Sequence, residues 1–149
     1  NIPGQRAIDL MEGRKFRFEG DTSLMANDFT SNFHLKPSRT LNRVKEVQDL
    51  KTLYRSGPVL SFAGSIILHA GSFTTYPGPS QRVSLNLVII SKSSTLSLSH
   101  LVRTFEVKKI VFDSTVPPWK LKNWQKDCDS LGIPCYDVNE KGAFVMSLN

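Results

Sequence analysis

The sequence predicts an α/β chain of mixed α and β elements, and three observations carry that class. Leu85 to Ile90 is a short apolar run rich in β-branched residues, the pattern of a strand buried on both faces of a sheet. Leu121, Trp124, Cys128 and Leu131 recur at alternating three- and four-residue steps, which lays one apolar stripe along a helix from Trp119 to Leu131. From Leu85 onward, strand-like and helix-like segments alternate as they do in a parallel α/β layer.

Taken in order, Arg6 to Met11 and Lys15 to Phe18 flank the turn Glu12-Gly13-Arg14. They read as a β-hairpin with Ala7 and Asp9 facing one way and Ile8 and Leu10 the other. Asp21, Thr22 and Ser23 are alternative N-caps for a helix running to about Phe33. The stretch His34 to Arg39 interrupts it, because Pro37 disfavours helix at Lys36. Leu41 to Tyr54 is polar and weakly patterned, a strand or an irregular crossover. Val59 to Phe62 and Ser65 to His69 form a second hairpin about Ala63-Gly64, and Phe73 to Ser80 is a loop around Pro77-Gly78-Pro79. The central strand is followed by a helix from about Ser99 to Phe105 and a strand from Lys109 to Phe112. Pro117-Pro118 then opens the helix Trp119 to Leu131, and Gly132 stops it. Ile133 to Val138 and Ala143 to Leu148 close the chain as strands joined near Asn139 to Gly142.

The chain has 149 residues, enough for one domain over 1–149 that buries a core without disulfides or metal. No apolar run reaches the roughly 18 residues of a membrane span. It starts at Asn1 with no signal-peptide pattern, the mark of a piece cut from a longer chain or of a processed form. Two cysteines, Cys128 and Cys135, are too few for a disulfide scaffold, and both fall on apolar positions. The net charge of +6, from 19 Lys and Arg against 13 Asp and Glu, favours anionic partners. Its local clusters are Arg14-Lys15-Arg17, Lys36/Arg39/Arg43/Lys45, Lys108-Lys109 and Lys120/Lys122/Lys126. Each of these also reads simply as a solvated basic face.

A strand entering a polar loop and then a helix is where α/β folds place their chemistry. Here the loop Ser91 to Ser99 contains no His, Cys, Asp or Glu. His34, His69 and His100 stand far apart with no paired spacing, as structural or surface histidines do. Asp113 could meet Asp21 or Asp137 across a crevice and hold Mg²⁺ or Mn²⁺. The plainer reading has Asp113 capping the turn into Ser114-Thr115 and Asp137 at a strand end. Ser94 or Ser97 as a nucleophile lacks a motif that supplies a base.

Several stretches resemble a known family. Gly4-Gln5, the hairpin ending in Glu19-Gly20, and the buried strand entering a loop resemble the metallo-β-lactamase fold. Phe29 to Arg39 and Val111 to Val145 are similar to the end of ComEC-type competence proteins. The second carries Phe-Asp-Ser-Thr-Val-Pro-Pro-Trp-Lys, Cys-Asp-Ser-Leu-Gly-Ile-Pro and Glu-Lys-Gly-Ala-Phe-Val. Those proteins are polytopic membrane channels that bring single-stranded DNA into bacteria. The resemblance covers nearly the whole chain. It implies a reduced metallo-β-lactamase-like sandwich of mixed sheets flanked by helices, at the soluble end of a larger inner-membrane protein and on its extracytoplasmic, periplasmic face.

Active members of that fold carry a His-x-His-x-Asp-His cluster after a Ser or Thr that corresponds here to Ser91. The resemblance puts Lys92, Ser94, Leu96 and Ser97 on the ligand positions. A lysine ammonium repels a divalent cation, leucine has no donor atom, and neutral serines are poor zinc ligands. The expectation is therefore a degenerate, non-catalytic domain with no metal and no cofactor. It would contact single-stranded DNA or support the channel, with the membrane portion of its parent chain as a further partner. Lys92, Ser93, Trp119, Lys120, Lys122 and Lys126 are the expected phosphate or base contacts. Trp119 has two readings, an exposed stacking platform and a staple packed at the helix start. The alternatives are a metal-dependent nuclease or phosphodiesterase with relocated ligands, and a purely structural cap.

Overall fold

A computed structural model describes residues 2–25, 29–71 and 82–148. The chain divides into two compact units, Asn1–Lys51 and Thr52–Asn149. Among the described residues it is mixed α/β, with three sheets and five α-helices.

In the first unit, β1 (Ala7–Glu12) and β2 (Lys15–Gly20) pair antiparallel from Ala7↔Gly20 to Glu12↔Lys15. The two-residue turn Gly13-Arg14 has Gly13 at φ 60°, which glycine adopts without strain. Period-two alternation puts Asp9, Phe16 and Phe18 on one face, and that face anchors the helical segment. α1 (Phe29–His34) and α2 (Lys36–Leu41) follow, and Arg39 of α2 forks onto the Asp9 carboxylate at 3.0 and 2.8 Å. Its guanidinium also lies 4.3 Å from the Phe16 ring centre and 5.3 Å from that of Phe18. A charge-assisted fork stacked on aromatic faces is a strong and directional join. β3 (Lys45–Glu46) then runs parallel to β2.

Two expectations for this unit are corrected. Asp21 does not cap a helix with its side chain, because its carboxylate accepts the Arg6 N–H at 2.8 Å and closes the hairpin. Among the described residues a short 3₁₀ turn, Thr22–Leu24, follows it, residues 26–28 of the expected helix lie outside the described residues, and its part from Phe29 to Phe33 is helical in α1. Pro37 does not keep Lys36 to Leu41 out of helix either. It sits in the first turn of α2, where its missing N–H costs nothing.

The second unit is built on a six-stranded sheet in the order β11-β10-β8-β6-β5-β4. β4 (Leu53–Ser56), β5 (Val59–Phe62) and β6 (Ser65–Ala70) form an antiparallel meander. β8 (Leu87–Ile90), β10 (Ile110–Phe112) and β11 (Cys135–Asp137) continue it in parallel. The β5–β6 turn places Ala63 at φ 46° and Gly64 at φ 77°. The stretch Leu41 to Tyr54, a strand or an irregular crossover by its sequence, holds β3 and the start of β4, an exposed edge with no apolar alternation whose turn is Gly57-Pro58. The loop expected over Phe73 to Ser80 lies outside the described residues.

The central run is divided. β7 (Val83–Leu85) pairs with β9 (Phe105–Val107) in a separate two-stranded sheet. Asn86 marks the division: its N–H donates to Ile66 O and its side-chain oxygen accepts from Ile66 N–H, both at 2.9 Å. α3 (Leu98–Thr104) and α4 (Pro118–Leu131) contribute Leu98, Leu101, Trp124 and Cys128 to a core with Leu68, Val88, Ile90, Ile110 and Phe112. Trp124 stacks on Phe112 with ring centres 5.9 Å apart. Gly132 ends α4 at φ 66°, the left-handed cap a glycine supplies.

Asn139 to Lys141, expected as a turn, belongs to the short helix α5 (Val138–Lys141). Ala143 to Leu148 is not a strand. Its residues alternate in burial, yet the Tyr136 hydroxyl donates to Lys141 O and Ala143 O, and Phe144 packs edge-on against the Tyr136 ring. Alternation here reflects a chain laid on side chains, without a ladder.

Candidate functional site

Three parallel neighbours, β6, β8 and β10, end in register at Ala70, Ile90 and Phe112. Beside those ends lie His69, one residue before Ala70, and Ser91 and Asp113, each one residue past its strand, at steps of 22 residues in sequence. His69 Nε2 lies 3.1 Å from Ser91 Oγ, and the Ser91 hydroxyl donates to Asp113 Oδ2. Since the one hydroxyl proton of Ser91 goes to Asp113, His69 presents N–H at Nε2. The other oxygen, Asp113 Oδ1, accepts the Thr115 N–H at 2.9 Å and the Thr115 hydroxyl. Thr115 Oγ1 in turn accepts the Lys92 N–H at 3.0 Å. Ser91 and Asp113 are buried. Buried polar groups of this kind cost stability unless partnered, and here the partners come from the neighbouring strand ends and from Thr115 in the turn after Asp113.

The loop Ser91 to Ser97 is stitched along its length. Lys120, from the first turns of α4, donates to Lys92 O at 2.9 Å and to Ser94 O at 3.1 Å. Its ammonium sits 5.6 Å from the Trp119 ring centre and 5.7 Å from that of Trp124. Trp124 Nε1 donates to Leu96 O at 3.2 Å, and Leu96 N–H donates to Ser94 Oγ at 3.3 Å.

The structure therefore sorts the expected contacts. Lys92, Ser93 and Ser97 are exposed, Leu96 is half-buried, and Ser94 is fully buried. Trp119 is 65% exposed, which overturns its reading as a packed staple, and Trp124 does that packing. Lys122 and Lys126 are exposed and share a helix face with Trp119 by their three- and four-residue steps. Lys120 is brought to the loop, but its ammonium is spent on two backbone carbonyls. The backbone N–H of Lys92, expected to face a phosphate, is taken by Thr115.

Sequence reasoning kept His69 apart from Ser91 and Asp113, since nothing in a linear chain announces which strands become neighbours. Asp113 does cap the turn to Thr115. Asp137 likewise accepts the Asn139 N–H at 2.8 Å as the N-cap of α5. Among the described residues, no group of three or more His, Cys, Asp or Glu could hold a metal ion. The free cysteines lie elsewhere, and burial, with Cys135 close by, pushes the Cys128 thiol up to about 12. It is a core thiol and not a nucleophile.

A family model described as the ComEC C-terminal domain matches residues 1–148. The chain belongs to that family. Membership associates this ComEC C-terminal domain with competence and DNA uptake. No curated protein and no solved structure matches it at a significant level. No helix among the described residues is long and apolar enough to cross a membrane.

Proposed function

We propose that this ComEC C-terminal domain is a non-catalytic module that contacts single-stranded DNA through the loop Ser91 to Ser97 and the outer face of α4. The observation that carries the reading is Trp119, exposed at the start of α4 and beside a loop that Lys120 clamps through Lys92 O and Ser94 O. An exposed indole next to exposed Lys92, Ser93, Lys122 and Lys126 suits bases that stack and phosphates that need cations. The domain is a reduced metallo-β-lactamase-like fold whose metal positions, Lys92, Ser94, Leu96 and Ser97, do not fit a two-metal centre. Ser94 is buried, and Asp113 has both oxygens occupied by Ser91 and Thr115. In this reading the module stands on the extracytoplasmic face, next to the membrane portion of its parent chain.

The test is a titration of fluorescently labelled single-stranded DNA at low and moderate salt. Affinity should fall steeply with salt, and Lys92→Gln should lower the log–log slope by about 0.7. Trp119→Ala should weaken binding about tenfold, the order of one lost base stack. Mn²⁺ added to the same tube should produce no cleavage. Absence of binding at low salt would turn the reading to a structural cap, and Mn²⁺-dependent cleavage would turn it to a nuclease.

A further inference from the structure

The first unit carries a surface that the reading above does not use. Phe29, Phe33 and Leu41 are 81%, 64% and 83% exposed. Large apolar side chains rarely cluster in water without a partner. α2 is held by Arg39 on Asp9, Phe16 and Phe18, and Leu41 lies two residues on, about 200° around the helix. Phe29 and Phe33 stack on each other, ring centres 5.7 Å apart and planes 13° apart. From 29 to 45 the chain holds Lys36, Arg39, Arg43 and Lys45 and no Asp or Glu. With Arg39 committed to Asp9, three further exposed cations, Lys36, Arg43 and Lys45, lie in the same stretch of chain as the apolar residues, with the exposed Glu46 following them.

We infer that the α1–α2 segment is a peripheral docking surface for an anionic lipid bilayer. Apolar side chains entering the headgroup boundary, with basic residues facing anionic headgroups, are the two contributions such binding needs. The mutual stacking of Phe29 and Phe33 commits a face of each ring, and Leu41 has no π-face. Both features favour an apolar boundary over a run of nucleic-acid bases. The inference is independent of the DNA contact, which lies in the other unit.

The test is co-sedimentation of the whole 149-residue chain with sucrose-loaded vesicles of pure phosphatidylcholine or of phosphatidylcholine with phosphatidylglycerol. Partitioning should favour the anionic vesicles at least about tenfold and fall with salt, since screening shortens the reach of surface charge. Lys36→Gln/Arg43→Gln/Lys45→Gln should lower partitioning roughly a hundredfold, at about fivefold per cation. Phe29→Ser/Phe33→Ser/Leu41→Ser should abolish it. These exposed positions should leave the circular dichroism melt unchanged, which separates lost binding from lost folding. No sedimentation with anionic vesicles at low salt overturns the inference, as does binding that the serine variant retains. A serine variant that loses DNA affinity, or that dissociates a dimer, overturns it too and assigns the patch to that partner.

Discussion

Replacing Asp113 tests whether the strand-end network holds the second unit together. Asp113→Ala removes the acceptor of three hydrogen bonds, from the Ser91 hydroxyl and from the Thr115 N–H and hydroxyl. Ser91 is 4% exposed, so its orphaned hydroxyl has little access to water, whereas half-buried Thr115 is partly rescued by it. Hydrogen bonds to a charged group contribute about 1.5–3 kcal/mol each. Counting Ser91 in full and Thr115 at a discount gives a loss of about 3–5 kcal/mol. Asp113→Asn should cost only about 1–2 kcal/mol. Its oxygen keeps Thr115, its amide donates to Ser91 Oγ, and the Ser91 proton turns to His69 Nε2 in the other tautomer. The assay is urea unfolding followed by tryptophan fluorescence, because both tryptophans, Trp119 and Trp124, lie in the second unit. An alanine variant within about 1 kcal/mol of the parent, or an asparagine variant as damaged as the alanine one, would refute the reasoning.

Three further outcomes follow from the same structure. Lys120→Met keeps the aliphatic stem but removes both donors to Lys92 O and Ser94 O, so stability should drop by about 1 kcal/mol. Faster amide exchange at Ser94 and Leu96 would mark the loosened loop, and unchanged exchange would count against the clamp. Gly20→Ala would put a Cβ 2.4 Å from Arg6 O and 2.6 Å from the Phe18 ring. That clash with backbone should cost about 2 kcal/mol or more, seen as lost amide protection in the β1–β2 hairpin. The Cys128 thiol, raised from 9.0 to about 12, favours the folded state fully below its unfolded value. Stability should therefore decline as pH rises from about 9 toward 12, and Cys128→Ala should flatten that part of the melting-temperature profile.

What could be read from the residues followed their local physics. The two hairpins, the α4 stripe with its proline start and glycine stop, and the parallel second half depend on period and turn chemistry within a few residues. Where the readings missed, a distant partner had overridden the local signal. Asp21 is an apt N-cap until the Arg6 N–H arrives to claim it, and the run Leu85 to Ile90 divides at its one polar residue, Asn86, because Ile66 pairs with it. Edge strand β4 carries no apolar face to announce itself, since it buries almost nothing.

The candidate site shows the same division more sharply. Residue chemistry alone determined that the loop after the central strand carries no His, Cys, Asp or Glu, because lysine, leucine and serine are what they are in any fold. The joining of His69, Ser91 and Asp113, the exposure of Trp119 and the turning inward of Lys120 were decided by tertiary structure. Parallel strands bring together residues that the chain separates by whole crossovers, and only packing settles whether Trp119, at the start of a helix whose stripe already claims Trp124, is covered or exposed.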